Sequence, residues 1–105
     1  MEPMKTIKTK LWVDDVRDAP DDSWDVARNF HDAIHMLQYG EYITVSLDHD
    51  INSWYGLKEM TGRDILNCMV YRKINGKATY TKVMVHSANP VGAKYMREDI
   101  GRYFP

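Results

Sequence analysis

A chain of 105 residues, 44% hydrophobic and 28% charged, has the size and make-up of one soluble globular domain with a thin core. Its net charge of -1 gives no overall attraction to nucleic acid or membrane, and its one cysteine, Cys68, excludes a disulfide framework and a cysteine-rich zinc module. No apolar run approaches the ~18 residues needed to cross a bilayer. The basic N-terminus has no apolar stretch behind it, as a signal peptide would, and no internal period recurs. The expectation is a single cytoplasmic domain over residues 1–105, with 1–6 as a flexible extension.

The first β-like run, Lys8 to Val13, ends in Leu11-Trp12-Val13 and is followed at once by Asp14-Asp15. Residues 16–23 hold a proline and several charged side chains and read as loop. From Trp24 to Tyr39 the apolar positions Val26, Phe30, Ala33, Ile34 and Leu37 recur at helical spacing, with Asp22 or Ser23 as N-cap and Gly40 as terminator. A second strand is predicted from Tyr42 to Leu47, where β-branched and aromatic residues alternate. It stops at Asp48-His49-Asp50. A loop carrying Trp54, Tyr55 and Gly56 leads to a helix from about Gly62 to Lys73 that buries Ile65, Leu66, Met69 and Val70, and Asn75-Gly76 makes a turn. A third strand, Tyr80 to Val85, stops at His86-Ser87-Ala88-Asn89-Pro90. The last helix starts there, with Asn89 as N-cap, Pro90 at its first position and Val91, Tyr95 and Ile100 facing inward.

The β-α-β-α-β-α pattern with short connections argues for an α/β domain of three layers around a short parallel sheet of about three strands and three helices. The carboxyl ends of parallel strands share one edge, and open α/β sheets bind ligands there. Asp14-Asp15, Asp48-His49-Asp50 and His86-Ser87-x-Asn89 come from three distant stretches of sequence and meet at that edge. The charge distribution agrees. Residues 1–50 carry five Lys/Arg against eleven Asp/Glu, and residues 51–105 carry nine against four, so an acidic site faces a basic half. That suits a metal plus an anion.

Asp14, Asp15, Asp48 and Asp50 offer hard oxygen ligands for magnesium, or as second choice manganese; helix and turn capping is the alternative for one of each pair. His49 and His86 are placed to exchange protons near neutral pH on either side of a bound phosphorus. Ser87 and Asn89 can hydrogen-bond a phosphoryl oxygen, although Asn89 is equally explained as a cap. His31 and His35 stand four apart on a helix without a third ligand and read as surface residues. Trp54 and Tyr55 read either as a stacking surface for a base or as a lid on the core. Lys94 and Arg97 read as a solvated helix face, and Cys68 as an inert apolar residue.

The segments LWVDDVRDAP, VSLDHDINSWYG, GRDIL and VMVHSANPVGAKYM resemble the cyclic-phosphate-processing receiver-like domain family. These are small bacterial and phage proteins related to response-regulator receiver domains. The likeness runs from about Lys10 to Ile100. It implies a reduced receiver-like (flavodoxin-like) fold in which Asp14 and Asp15 hold magnesium. Asp48 then stands at the receiver's phosphoacceptor position, and Ser87 and Ala88 contact the phosphoryl group. His49 and His86 are the family's additions and underlie its action on cyclic phosphates. The chain departs from an ordinary receiver in showing three strands instead of five and no counterpart of the receiver lysine before Pro105.

The leading expectation is a metal-assisted phosphoesterase opening 2′,3′-cyclic phosphate termini or cyclic nucleotides. His49 and His86 would act as acid and base, and Asp48 as a ligand or, in a variant, a nucleophile. The alternatives are a module that sequesters a cyclic nucleotide without hydrolysing it, and a degenerate receiver acting through a protein partner. No membrane and no extended nucleic-acid duplex is expected as partner; an open sheet edge would permit a dimer.

Overall fold

The computed structural model describes residues 7–77 and 80–105. The expected extension at 1–6 lies outside the described residues. In chain order the elements are β1 (Lys10–Val13), β2 (Trp24–Ala27), α1 (Phe30–Tyr39), β3 (Thr44–Leu47), β4 (Ser53–Tyr55), β5 (Lys58–Met60), α2 (Gly62–Ile74), β6 (Lys82–Val85) and α3 (Pro90–Tyr103). Four strands form one parallel sheet in the order β2-β1-β3-β6, and β4 and β5 make a separate antiparallel hairpin. The receiver-like α/β reading holds, with four strands in place of three.

The additional strand is β2, at the start of the segment expected to be helical. Trp24 to Ala27 pairs in parallel with Lys10 to Val13, and α1 begins only at Phe30. Its cap is Asn29, not Asp22 or Ser23. The Asn29 side chain accepts from the Asp32 N–H at 2.8 Å, while its own amide donates to Asp32 Oδ2 at 3.0 Å. The second bond runs from the Asn29 side-chain amide, so the two side chains brace each other across the first turn of α1. Gly40 ends α1 as expected, its N–H donating to Met36 O at 2.7 Å.

Strand order explains why the domain has two layers and not the expected three. From β2 through α1 to β3, and from β3 through α2 to β6, the chain advances across the sheet in the same direction. Right-handed crossovers then put both helices on one face, and α3 packs beside α2 and β6 on that face. The single core forms there: Leu11, Val13, Val45 and Leu47 from the sheet meet Ile65, Leu66, Met69 and Met96 from the helices, all fully buried. Each such side chain contributes about 1.5–3 kcal/mol. The reverse step, β1 to β2, is made by residues 14–23 without a helix. On that other face Trp12 and Trp24 meet edge to face at 5.7 Å, and the Trp12 indole N–H donates to Arg17 O in this loop.

Helix α3 is rotated from its expected setting. Gly92, Ala93 and Met96 are buried, while Val91 is 64% exposed and Tyr95 is also exposed. The cause is close approach: a Cβ on Gly92 would stand 2.5 Å from the His49 ring, so the small face of α3 is the one that fits. Gly62, at the start of α2, is tighter still, since its Cβ would lie 1.7 Å from the Asp48 carbonyl oxygen. Both glycines bring helix N-termini against the carboxyl end of β3. No described helix is long and apolar enough to cross a membrane.

Candidate active site

At the carboxyl end of the sheet, ligand oxygens of Asp14, Asp15 and Asp48 lie within 4.8 Å of one another. Asp14 and Asp15 follow β1, and Asp48 follows β3, the strand paired with it. Adjacent parallel strands ending in register bring the two sequence-distant clusters together. Asp14 is fully buried and held on both oxygens. Its Oδ1 accepts the N–H groups of Val16 (2.9 Å) and Arg17 (2.8 Å), and its Oδ2 faces His86 Nε2 at 3.1 Å. Burial by itself pushes this carboxyl up; the hydrogen bonds from Arg17, Val16 and His86 outweigh it and hold the group below the ordinary carboxylate range.

Asp48 behaves in the opposite way. Burial first, and the Asp14 charge second, push its carboxyl above the ordinary range, although Ser87 and the His49 N–H, 2.8 Å from Oδ1, bond to it. Two neighbouring carboxylates thus differ in sign of shift. Ionising the second costs stability, which is the condition that a divalent cation relieves. The donors are hard oxygens, and the set fits magnesium or manganese.

The two histidines occupy different settings. His86 has both ring nitrogens engaged, Nε2 with Asp14 and Nδ1 with Ser46 Oγ at 2.7 Å, and its ring stacks on Trp12 at 3.6 Å with planes 8° apart. Asp14, when ionised, accepts a hydrogen bond from Nε2–H, so Nδ1 of the neutral ring accepts from the Ser46 hydroxyl. His49 packs on Gly92. Its Nδ1 lies 2.7 Å from Asp50 Oδ1, and among the described residues its Nε2 has no hydrogen-bond partner. Asn89 reaches the other Asp50 oxygen at 3.2 Å, while its own Oδ1 caps α3 by accepting from Gly92 N at 3.0 Å.

Asp50 therefore stands apart from the carboxylate cluster and braces His49, because the residue after His49 is carried outward where β3 has ended. Ser87 Oγ accepts from Asn89 N at 3.1 Å and lies against Asp48. Sequence reading missed Trp12 and Ser46, the platform and partner of His86. The register Trp12↔Ser46 puts them side by side on the sheet face opposite the core, and a serine amid Val45 and Leu47 was the available signal. His31 and His35 are exposed on α1, Lys94 and Arg97 are exposed on α3, and burial raises the pKa of the Cys68 thiol.

Burial is also the first cause that lowers the His86 pKa below 6.5, against the opposing pull of Asp14. The unfolded chain then takes up a proton near pH 6.5 that the folded chain refuses. Stability contributed by neutral His86 is complete above that pH and falls as pH drops from 6.5 toward the folded value. Urea unfolding between pH 7.5 and 5.5 should show a steeper loss in wild type than in His86→Gln. Equal slopes would mean that His86 is protonated as readily in the fold as outside it.

No curated protein and no solved structure matches the chain. Residues 9–102 do match a family model, that of the cyclic-phosphate processing receiver domain, and the match spans every strand and nearly all of the last helix. The two aspartate-bearing strand ends and the two flanking histidines all lie inside it, and the chain belongs to the cyclic-phosphate processing receiver domain family.

Proposed function

We propose that this protein is a metal-assisted phosphoesterase that opens cyclic phosphates. The observation that carries the reading is the convergence of the Asp14, Asp15 and Asp48 oxygens within 4.8 Å next to His49, whose Nε2 has no partner among the described residues. Asp14, Asp15 and Asp48 would hold magnesium, with manganese as second choice, and the bound ion supplies positive charge to phosphodiester oxygens. Ser87 and the Val91 N–H, the donor left at the start of α3 once Pro90 lacks one and Asn89 takes those of Gly92 and Ala93, stand at the same edge and would donate to an anion. His49 exchanges a proton through Nε2, with Asp50 holding its ring and Asn89 holding Asp50. In the reaction a water oxygen bonds to phosphorus, the bond from phosphorus to one ribose oxygen breaks, and that oxygen leaves with a proton. His86, with both nitrogens engaged at rest, keeps Asp14 in place; its Nε2 proton reaches substrate only if the contact with Asp14 opens.

The test is incubation with 2′,3′-cyclic nucleotides, ADP-ribose cyclic phosphate, 3′,5′-cyclic nucleotides and cyclic dinucleotides, with magnesium or with chelator. Products are read by phosphorus NMR and mass spectrometry. The expected result is a phosphomonoester from at least one cyclic phosphate, formed with metal and not with chelator. Binding without turnover would replace the esterase by a sequestering module. Neither binding nor turnover, together with phosphorylation of Asp48 by a small phosphodonor, would point to a receiver acting through a protein partner.

A further inference from the structure

The β4–β5 hairpin leaves the site and returns to it. It departs after Asp50, and its far end closes where the Gly62 N–H donates to His49 O at 2.8 Å. Between these points Tyr55 and Lys58 pair across a two-residue turn. Gly56 stands first in the turn at φ 61°, the conformation that a tight hairpin asks of glycine. Side chains alternate across the hairpin. Ser53 is buried, with its Oγ accepting from Phe30 N at 3.0 Å, and Tyr55 tilts against His31, so this face lies on α1. Trp54 is on the other face, beside Glu59, and is 52% exposed. Among the described residues its indole has no ring contact and no hydrogen bond.

A half-exposed indole on a short, anchored hairpin, with no ring contact among the described residues, offers a free ring face to a ligand. Three apolar side chains, Trp54, Tyr55 and Leu57, fall far short of the roughly 800 Å² per side of a stable protein interface. A flat ring of about the indole's size fits better. Trp54 follows Asp50 by four residues, so the two Cα atoms are at most about 14 Å apart, and its cross-strand partner Glu59 is three residues from Gly62. The hairpin thus stays within reach of a nucleotide whose phosphate sits at the edge cluster. We propose that Trp54 is the stacking surface for the nucleobase of a nucleoside cyclic phosphate, which rests on the function proposed above and narrows its substrate to base-bearing cyclic phosphates. Stacking tolerates any base, since every base offers a π-face.

The experiment compares adenosine 2′,3′-cyclic phosphate with methyl riboside 2,3-cyclic phosphate, which keeps the ring and phosphate but lacks the base. Both affinity and turnover are measured with magnesium for wild type, Trp54→Ala and Trp54→Phe, with thermal melts as folding control. Wild type should favour the base-bearing compound by about tenfold or more. Trp54→Ala should lose that preference while handling the base-free compound as wild type does, and Trp54→Phe should restore most of it. Equal treatment of both compounds by wild type, or a preference that survives in Trp54→Ala, would overturn the stacking site and leave the esterase standing. If wild type neither binds nor converts either compound, the stacking site as proposed falls, and the esterase reading is decided by the wider panel of cyclic phosphates.

Discussion

Replacing Asp48 by Asn should stabilise the metal-free protein and remove the response to divalent cations expected of the carboxylate cluster. Asp48 is buried beside Asp14, and both burial and that charge push its carboxyl above 3.8. A carboxylate raised in the fold loses stability as pH climbs from the unfolded value through the folded one. Asparagine keeps an oxygen to accept from the His49 N–H, removes the charge and can donate toward Asp14. A gain on the order of 1 kcal/mol is expected, which for a domain of this size lifts the melting midpoint by about 4–8 °C. Magnesium should reverse the ranking, since a cation bound only by the folded state adds about 2.7 kcal/mol at a hundredfold excess over its Kd. Wild type should therefore melt lower than Asp48→Asn in chelator and gain stability with magnesium, while the variant stays where it is. A wild type indifferent to magnesium and manganese, with a variant no more stable in chelator, would remove the carboxylate cluster as a metal site.

His49→Ala is expected to cost about two to four decades of turnover, the usual worth of a positioned proton-transfer group. The fold should survive, because the ring lies at the edge on Gly92, 19% exposed, outside the core formed by Leu11, Val45 and Leu66. Asp50→Asn should give a smaller loss, since Asp50 reaches the reacting atoms only through His49. His86→Ala should act differently: it strips a hydrogen bond from buried Asp14, so metal affinity and stability fall along with rate. Rate measurements at saturating and limiting magnesium separate the two. A His49→Ala protein with unaltered turnover, or a His86→Ala defect unrelated to metal concentration, would contradict these roles.

These roles show where one-dimensional reading stops. His49 and His86 look alike in sequence, each beside a polar residue at the end of a β-like run. Only the packed structure distinguishes them, because Ser46 and Trp12 approach His86 from two other strands while Asp50 and Gly92 surround His49. Asp50 looked like one more ligand for the same reason. Whether a carboxylate points into a cluster or back to its neighbour is set by the turn after the strand, and residue type does not reveal it.

By itself the sequence determined the parallel α/β architecture, the strand ends that carry Asp14-Asp15, Asp48 and His86, the Asn89-Pro90 start of the last helix, and the family. The family rests on the resemblance of its motifs, and the others depend on residue periodicity or on local capping and turn chemistry, which act over a few neighbours. Tertiary structure decided the rest. It made Trp24–Ala27 a strand, since these four residues share the helical spacing of α1 and take the β form only because β1 offers a partner. It set all three helices on one face through strand order, turned Val91 outward because Gly92 must meet His49, and separated the roles of the histidines. Those outcomes depend on contacts between residues far apart in the chain, and periodicity carries no information about such contacts.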